Sequence, residues 1–256
     1  MLANYHTHTV RCHHAEGTER EYIESAIRNG FQILGFSDHT PQPYPEDFHS
    51  GIRMDMSERE DYTSTLVKLR EEYKDRIQIL IGYEVEYSRK YFPTLLEKLK
   101  EYPLDYIIQG QHNAPNEIEG FYAGAETDSE EDLKCYVDTT IEGMETGYFL
   151  YLAHPDLIHY IGDDGIYRKH MKRLIEASID LHIPLEVNGL GIRENRHYPS
   201  HRFFELASQQ GATFILGCDA HRPCDLQQPE DVPGMMEFLH QYHIHAGDNL
   251  LPLKNL

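Results

Sequence analysis

The sequence predicts an α/β fold of seven strand-then-helix units, arranged as a closed barrel or an open doubly wound sheet. Three observations lead there. Short runs that are apolar at nearly every position recur along the chain, as in strands buried on both faces. Longer amphipathic segments carrying helix-capping signals alternate with them. No G-x-G-x-x-G or P-loop follows any run, so the common nucleotide-binding open sheets lose support. A chain of 256 residues suits one barrel-sized domain spanning 1–256.

The units follow in order. LANYH (2–6) is a first short strand. Thr18 and Glu21 make a capping box ahead of a helix, and Gly30 sits where a helix-terminating glycine belongs. FQILGFS (31–37) is the second strand, and Ser57 with Glu60 forms a second capping box for a helix to about Lys74. IQILIGYEVEY (77–87) leads to a helix near 91–101, and LDYIIQG (104–110) to one at 129–145. GYFLYLA (147–153) precedes a helix near 165–181, IPLEVN (183–188) one near 200–210, and ATFILG (212–217) a last one near 230–241.

Composition narrows the partners. There are 43 acidic and 23 basic residues, a formal charge of −20. Such a surface repels polynucleotides and anionic membranes, so neither is expected as a partner. No apolar run is long enough to span a bilayer and no signal pattern opens the chain, so a cytoplasmic protein is expected. Cys12, Cys135, Cys218 and Cys224 match no zinc-ribbon spacing and read as reduced thiols. Oligomeric state is left open.

Histidine is in excess, at 17 residues. About one H-x-H pair is then expected by chance, so His6/His8 and His243/His245 mean little until placed on the fold. Placement separates them. His6 and His8 close strand one, Asp38 and His39 strand two, and Glu84 and Glu86 strand three. His112 follows strand four, His154 strand five, Asn188 strand six, and Asp219 with His221 strand seven. In a parallel barrel these ends converge on one face. His243/His245 follows no strand and reads as a surface pair. Imidazoles and carboxylates gathered in this way favour zinc, iron or manganese. Two or three such divalent ions could activate water and clamp a phosphoryl group.

The ordered set of H-x-H, S-D-H, strand-three Glu, G-x-H, A-H-P-D and D-A-H resembles the polymerase-and-histidinol-phosphatase (PHP) family over about residues 4–223. The resemblance implies a distorted (β/α)7 barrel and three metal positions. His6, His8, Glu84 and Asp219 would hold the first ion. Glu84, His112 and His154 would hold the second, and His14, His39 and His221 the third. His14 rather than His13 matches, six residues after His8. Cys218 departs from the usual serine, and Gln111 in GQH is larger than usual.

Within the family, C-x-H-A-E-G, EVNGLGIR (186–193), YPS (198–200) and DAHRP (219–223) resemble the histidinol-phosphatase branch. The implied reaction is hydrolysis of a small-molecule phosphate ester, L-histidinol phosphate, in histidine biosynthesis, by metal-activated hydroxide. Arg193, just beyond strand six, has the planar fork that suits phosphate, and Arg53 is a second candidate. Arg53 lies on the loop 40–56, which could act as a lid. Glu119 and Tyr122 are candidates for the substrate's cationic end. Asp219 and His221 are candidates for proton handling. An exonuclease or phosphoesterase on another ester is the alternative, and the acidic surface argues against DNA. A metal-storage protein would not need a phosphate-binding arginine. A barrel amidohydrolase would place a lysine at a strand end, where Glu84 stands.

Overall fold

The computed structural model describes residues 1–245 and 247–253. Four parallel strands pair in chain order: β1 (Ala3–Asn4), β2 (Ile33–His39), β3 (Gln78–Val85) and β4 (Tyr106–Gln109). Single parallel bridges carry the ring from Gln109 to Leu152 and from Leu152 to Leu185. There β7 (Leu185–Asn188) pairs with β8 (Phe214–Gly217). A bridge from Ala220 to Thr7 brings the chain back to the end of β1. The seven units therefore close into a distorted barrel. The connecting helices are α1 (Glu19–Arg28), α2 (Arg59–Tyr73), α3 (Phe92–Leu99), α4 (Glu130–Glu145), α5 (Asp164–Asp180), α6 (Gly189–Arg193), α7 (His201–Gln209) and α8 (Met235–Gln241).

Strand alternation decides what faces the barrel axis. On β3, Ile79, Ile81, Tyr83 and Val85 join the outer core under the helices, while Leu80 joins the inner cluster. The same parity turns Glu84 inward. Tyr106 fills the barrel centre and its hydroxyl donates to the carbonyls of Tyr5 (2.7 Å) and Phe36 (3.1 Å). A side chain at Gly35 or Gly82 would overlap its ring, so both strands carry glycine where they face it.

Several expected elements differ. The fifth strand keeps its hydrogen bonds, Leu150 N to Ile107 O and Ala153 N to Gln109 O at 2.8 Å each, but not a regular ladder. Leu150 and Tyr151 both pack in the inner cluster, which breaks the two-residue alternation. The Thr18–Glu21 box is present, with Thr18 N donating to Glu21 at 2.7 Å. The second box is shifted: Asp55 N donates to Glu58 at 2.8 Å, ahead of a 3-10 turn, Met56–Glu58, and the helix proper starts at Arg59. The last helix begins at Met235, because Pro229 seats a separate 3-10 turn and Gly234 follows Pro233 with φ +83°. A helix and a hairpin were not expected: α6, and β5 (Asn113–Ala114) paired with β6 (Phe121–Tyr122). Among the described residues no helix is long and apolar enough to cross a membrane.

Candidate metal centre

The nine expected ligands come together at the C-terminal end of the barrel. Glu84 is the hub. Its Oε1 lies 2.7 Å from His154 Nε2 and 3.6 Å from His112 Nε2. Its Oε2 lies 3.5 Å from His6 Nε2, 3.6 Å from His8 Nε2 and 2.9 Å from His39 Nδ1. Asp219 Oδ1 stands 3.5 Å from His6 Nε2 and 3.2 Å from His8 Nε2. His14, His39 and His221 each offer a ring nitrogen to a separate group beside this one. His154 and Asp219 hold positive φ, 28° and 47°, a strained backbone of the kind that functional sites retain.

One feature of this cluster points to an ion. His6 Nε2, His8 Nε2, Glu84 Oε2 and Asp219 Oδ1 are buried and make no well-aligned hydrogen bond, although Glu84 Oε2 lies 2.9 Å from His39 Nδ1. Leaving such atoms unsatisfied costs about 1–3 kcal/mol each. Ligands at about 2.0–2.1 Å around a tetrahedral ion are roughly 3.4 Å apart. The two histidine nitrogens lie 3.2–3.6 Å from the two carboxylate oxygens, close to that spacing. The residues therefore fit a divalent cation.

Groups behind the ligands fix their orientation. His6 Nδ1 bonds Glu186 Oε1 at 2.8 Å, which leaves Nε2 pointing inward. The same carboxylate accepts from His154 N (2.9 Å) and from Asn188 Nδ2 (2.8 Å), and Asn188 also donates to Asp219 (3.0 Å). His8 Nδ1 faces Asp38 at 3.4 Å, and Asp38 accepts from the Thr9 amide at 3.2 Å. Neither Glu186 nor Asp38 was expected in a supporting role. The sequence signal was there, since Glu186 precedes Asn188 by two and so shares its face of β7. Gly110 and Gly217 complete the support. A side chain at Gly110 would overlap the Glu84 carboxylate, and one at Gly217 that of Glu186.

Burial would raise Glu84, but His112, His39 and His6 outweigh it and hold its carboxyl well below the usual range. Burial is likewise overcome at Asp219, by His6, His8 and His221. Burial pushes His112 down to about 3 and lowers His39, whereas the facing carboxylates outweigh burial at His6, His8 and His154 and raise them. A cavity of about 680 Å³ opens above the cluster, with His8, His14, His39, Glu84, His112, Asp219 and His221 in its lining.

A family model described as PHP domain matches residues 4–189. The chain belongs to the PHP domain family. Curated relatives of this PHP chain include a probable histidinol-phosphatase of Schizosaccharomyces pombe, 28% identical, covering 87% of this chain and 81% of the relative. Another, from Deinococcus radiodurans, is 26% identical and covers 87% of each chain. Among solved structures, the histidinol phosphate phosphatase of Lactococcus lactis, complexed with zinc, L-histidinol and phosphate, superposes with a TM-score of 0.71. It is 17% identical, covering 95% of this chain and 94% of that one, and this likeness speaks to the fold.

The expected substrate residues of the PHP chain are placed unevenly. Tyr122 lines the cavity. Glu119 does not; it is paired with Lys90 at the surface. Glu117, two residues earlier, lines the cavity instead. Arg53 is buried and already engaged, by Glu86 (2.7 Å), Glu117 (2.9 Å) and the Thr40 carbonyl (3.2 Å). It fastens the 40–56 loop, whose Gly51 and Ile52 reach the cavity. Arg193 also does not line the cavity. It sits at the end of α6 and donates to the carbonyls of Cys218 (2.9 Å) and Asp219 (3.3 Å) from behind. Arg53 and Arg193 thus act as braces in this structure: both lie outside the cavity lining, and their guanidinium ends donate to protein acceptors, though Arg193 Nε has none. Arg196, three residues on, has its place in the cavity lining, with Tyr198 and Glu194. His243 and His245 are exposed, as expected.

Arg193→Met is expected to lower stability by about 2 kcal/mol, the scale of charge-assisted hydrogen bonds. Thermal unfolding of the metal-loaded protein measures it; an unchanged transition contradicts the bracing role.

Proposed function

We propose that this PHP chain is a metal-dependent phosphomonoesterase that hydrolyses L-histidinol phosphate to L-histidinol and phosphate. The observation that carries the proposal is the set of buried ligand atoms on His6, His8, Glu84 and Asp219 that make no well-aligned hydrogen bond, the last three of these residues lining a cavity of about 680 Å³. The names of the relatives supply the substrate. His6, His8, Glu84 and Asp219 would hold one divalent ion, Glu84, His112 and His154 a second, and His14, His39 and His221 a third. Ions held there would offset the charge of the phosphoryl oxygens and lower the pKa of water at neutral pH.

The chain's own residues have separable tasks in this reading. Glu84 divides its two oxygens between the His112/His154 side and the His6/His8/His39 side. Glu186 and Asn188 orient His6 and Asp219. Arg196, held by Glu194 (2.7 Å) and the Tyr198 hydroxyl (2.9 Å), presents a guanidinium suited to a phosphate oxygen. Glu117 and Tyr122 supply an acidic and an aromatic surface for an ammonium and an imidazole ring. Asp219 and His221, 3.3 Å apart, are assigned to proton handling at the leaving oxygen.

The test is steady-state phosphate release by metal-quantified protein, comparing L-histidinol phosphate with simple phosphomonoesters and a short single-stranded DNA. The expected result is a kcat/KM for L-histidinol phosphate well above every other member. A metallated protein that prefers another ester would leave a PHP phosphoesterase with a different substrate. Arg196→Ala is expected to raise KM about 10–100-fold, the loss of one charged contact, with metal content unchanged. An unaltered KM would remove Arg196 from the phosphate site.

A further inference from the structure

Glu86, in the GYEVEY run, has no task in the reading so far. It lies just beyond β3 and two residues after Glu84, so strand alternation turns both carboxylates to the same side. Their partners differ. Glu84 faces imidazoles, whereas Glu86 is buried against Asn113 and Arg53. Glu86 Oε1 accepts from the backbone N–H of Asn113 and from Asn113 Nδ2 (3.3 Å). Glu86 Oε2 accepts from Arg53 Nη2 at 2.7 Å. Arg53 in turn donates through Nε to Glu117 Oε2 at 2.9 Å, and Ser50 Oγ donates to Glu117 Oε1 at 2.7 Å. Asn113 opens the β5–β6 hairpin, Glu117 lies in its loop, and both line the cavity. One buried carboxylate therefore anchors this wall at two points. The charges there do not cancel. Besides the candidate ligands, the acidic residues in the cavity lining are Glu117 and Glu194. Glu194 has Arg196 at 2.7 Å. Glu117 instead shares the Arg53 guanidinium with Glu86, so one cation serves two carboxylates.

We propose that Glu86 is a positioning residue for substrate selection: through Arg53 it holds Glu117 at the cavity wall, where the surplus negative charge selects phosphate esters whose alcohol carries an ammonium group. A glutamate loose on a hairpin loop would lose side-chain freedom on gripping a cation. One already fixed by Arg53 and Ser50 does not incur that cost at binding. The end of β3 thus divides two tasks, with Glu84 facing the candidate ligands and Glu86 setting the wall that meets the alcohol. This selection rests on the phosphatase reading of the cavity, though not on L-histidinol phosphate itself.

The experiment measures phosphate release by metal-loaded full-length protein from phosphoethanolamine and ethyl phosphate, which differ only in the ammonium group. L-histidinol phosphate, whose ammonium is likewise on the second carbon, is measured beside them. The unmodified protein is expected to favour phosphoethanolamine over ethyl phosphate in kcat/KM by about tenfold or more, the scale of one charged contact. In Glu117→Gln and in Glu86→Gln this preference is expected to fall toward unity, through KM, with bound metal unchanged. No preference in the unmodified protein, or a preference kept in Glu117→Gln, overturns the selection by charge, and hydrolysis of L-histidinol phosphate would then stand on other contacts. A preference lost in Glu117→Gln but kept in Glu86→Gln overturns the positioning role. Arg53→Lys keeps the cation without the fork that spans both carboxylates, and it is expected to lose the preference too. It reads the same link if Glu86→Gln does not fold, and a preference it leaves intact overturns that link. An ammonium preference in a protein that ignores L-histidinol phosphate supports the selection and overturns only that substrate. A metallated protein that hydrolyses none of the three esters overturns both readings.

Discussion

Glu84→Gln is expected to lose at least one equivalent of bound metal and about a thousandfold in kcat. Glu84 is the single side chain whose two oxygens face both halves of the cluster, with His154 and His112 on one and His6, His8 and His39 on the other. Glutamine keeps the shape and removes the charge that opposes five imidazoles. Metal-ion stabilisation of a phosphoryl transition state is worth several kcal/mol, and about 4 kcal/mol is three powers of ten in rate. Elemental analysis and phosphate release measure the two effects together. Gly110→Ala approaches the same carboxylate from outside, since its new carbon would overlap Glu84, and it is expected to lower metal content in the same direction. A Glu84→Gln protein with full metal and full activity would contradict the bridging role.

Glu186→Gln is expected to cost about 10–100-fold in metal affinity while leaving all nine proposed ligands in place. Glu186 is buried and bonds His6 Nδ1, the His154 amide and Asn188. The carboxylate fixes which His6 nitrogen carries the proton; an amide can present its NH2 to that nitrogen and favour the wrong tautomer. Gly217→Ala displaces the same carboxylate sterically and should give a similar loss. Competition with a chelator reads the affinity. The contradicting result is an unchanged affinity in both variants. By linkage, the stripped protein should also unfold earlier than the loaded one, by up to about 4 kcal/mol at a thousandfold excess over Kd.

The cluster of candidate ligands, apart from His14, which only the resemblance supplied, was legible because it obeys two simple regularities. Apolar runs end where the barrel mouth begins, and polar residues at those ends have one place to converge. That is how residues as distant in sequence as His6 and Asp219 could be grouped. The cavity-lining arginine was not legible by the same means. Arg193 and Arg196 are three apart beyond the same strand, and which one turns outward depends on α6, a single helical turn capped by Asn188 accepting from Gly191 N at 2.9 Å. That turn aims Arg193 at the carbonyls of Cys218 and Asp219, a contact with another strand end that no local pattern encodes. Arg53 was misleading for a related reason, because its partners Glu86 and Glu117 come from two other segments. Glu186 was readable in principle, because it shares the face of β7 with Asn188 two residues on.

The most direct test of the central claim is a metal titration of the stripped protein, with bound equivalents and phosphate release from L-histidinol phosphate measured on the same samples. The account predicts negligible release from stripped protein and release that appears as the second equivalent is bound, when both oxygens of Glu84 are engaged. Undiminished turnover by stripped protein, or no turnover at any occupancy, would contradict it.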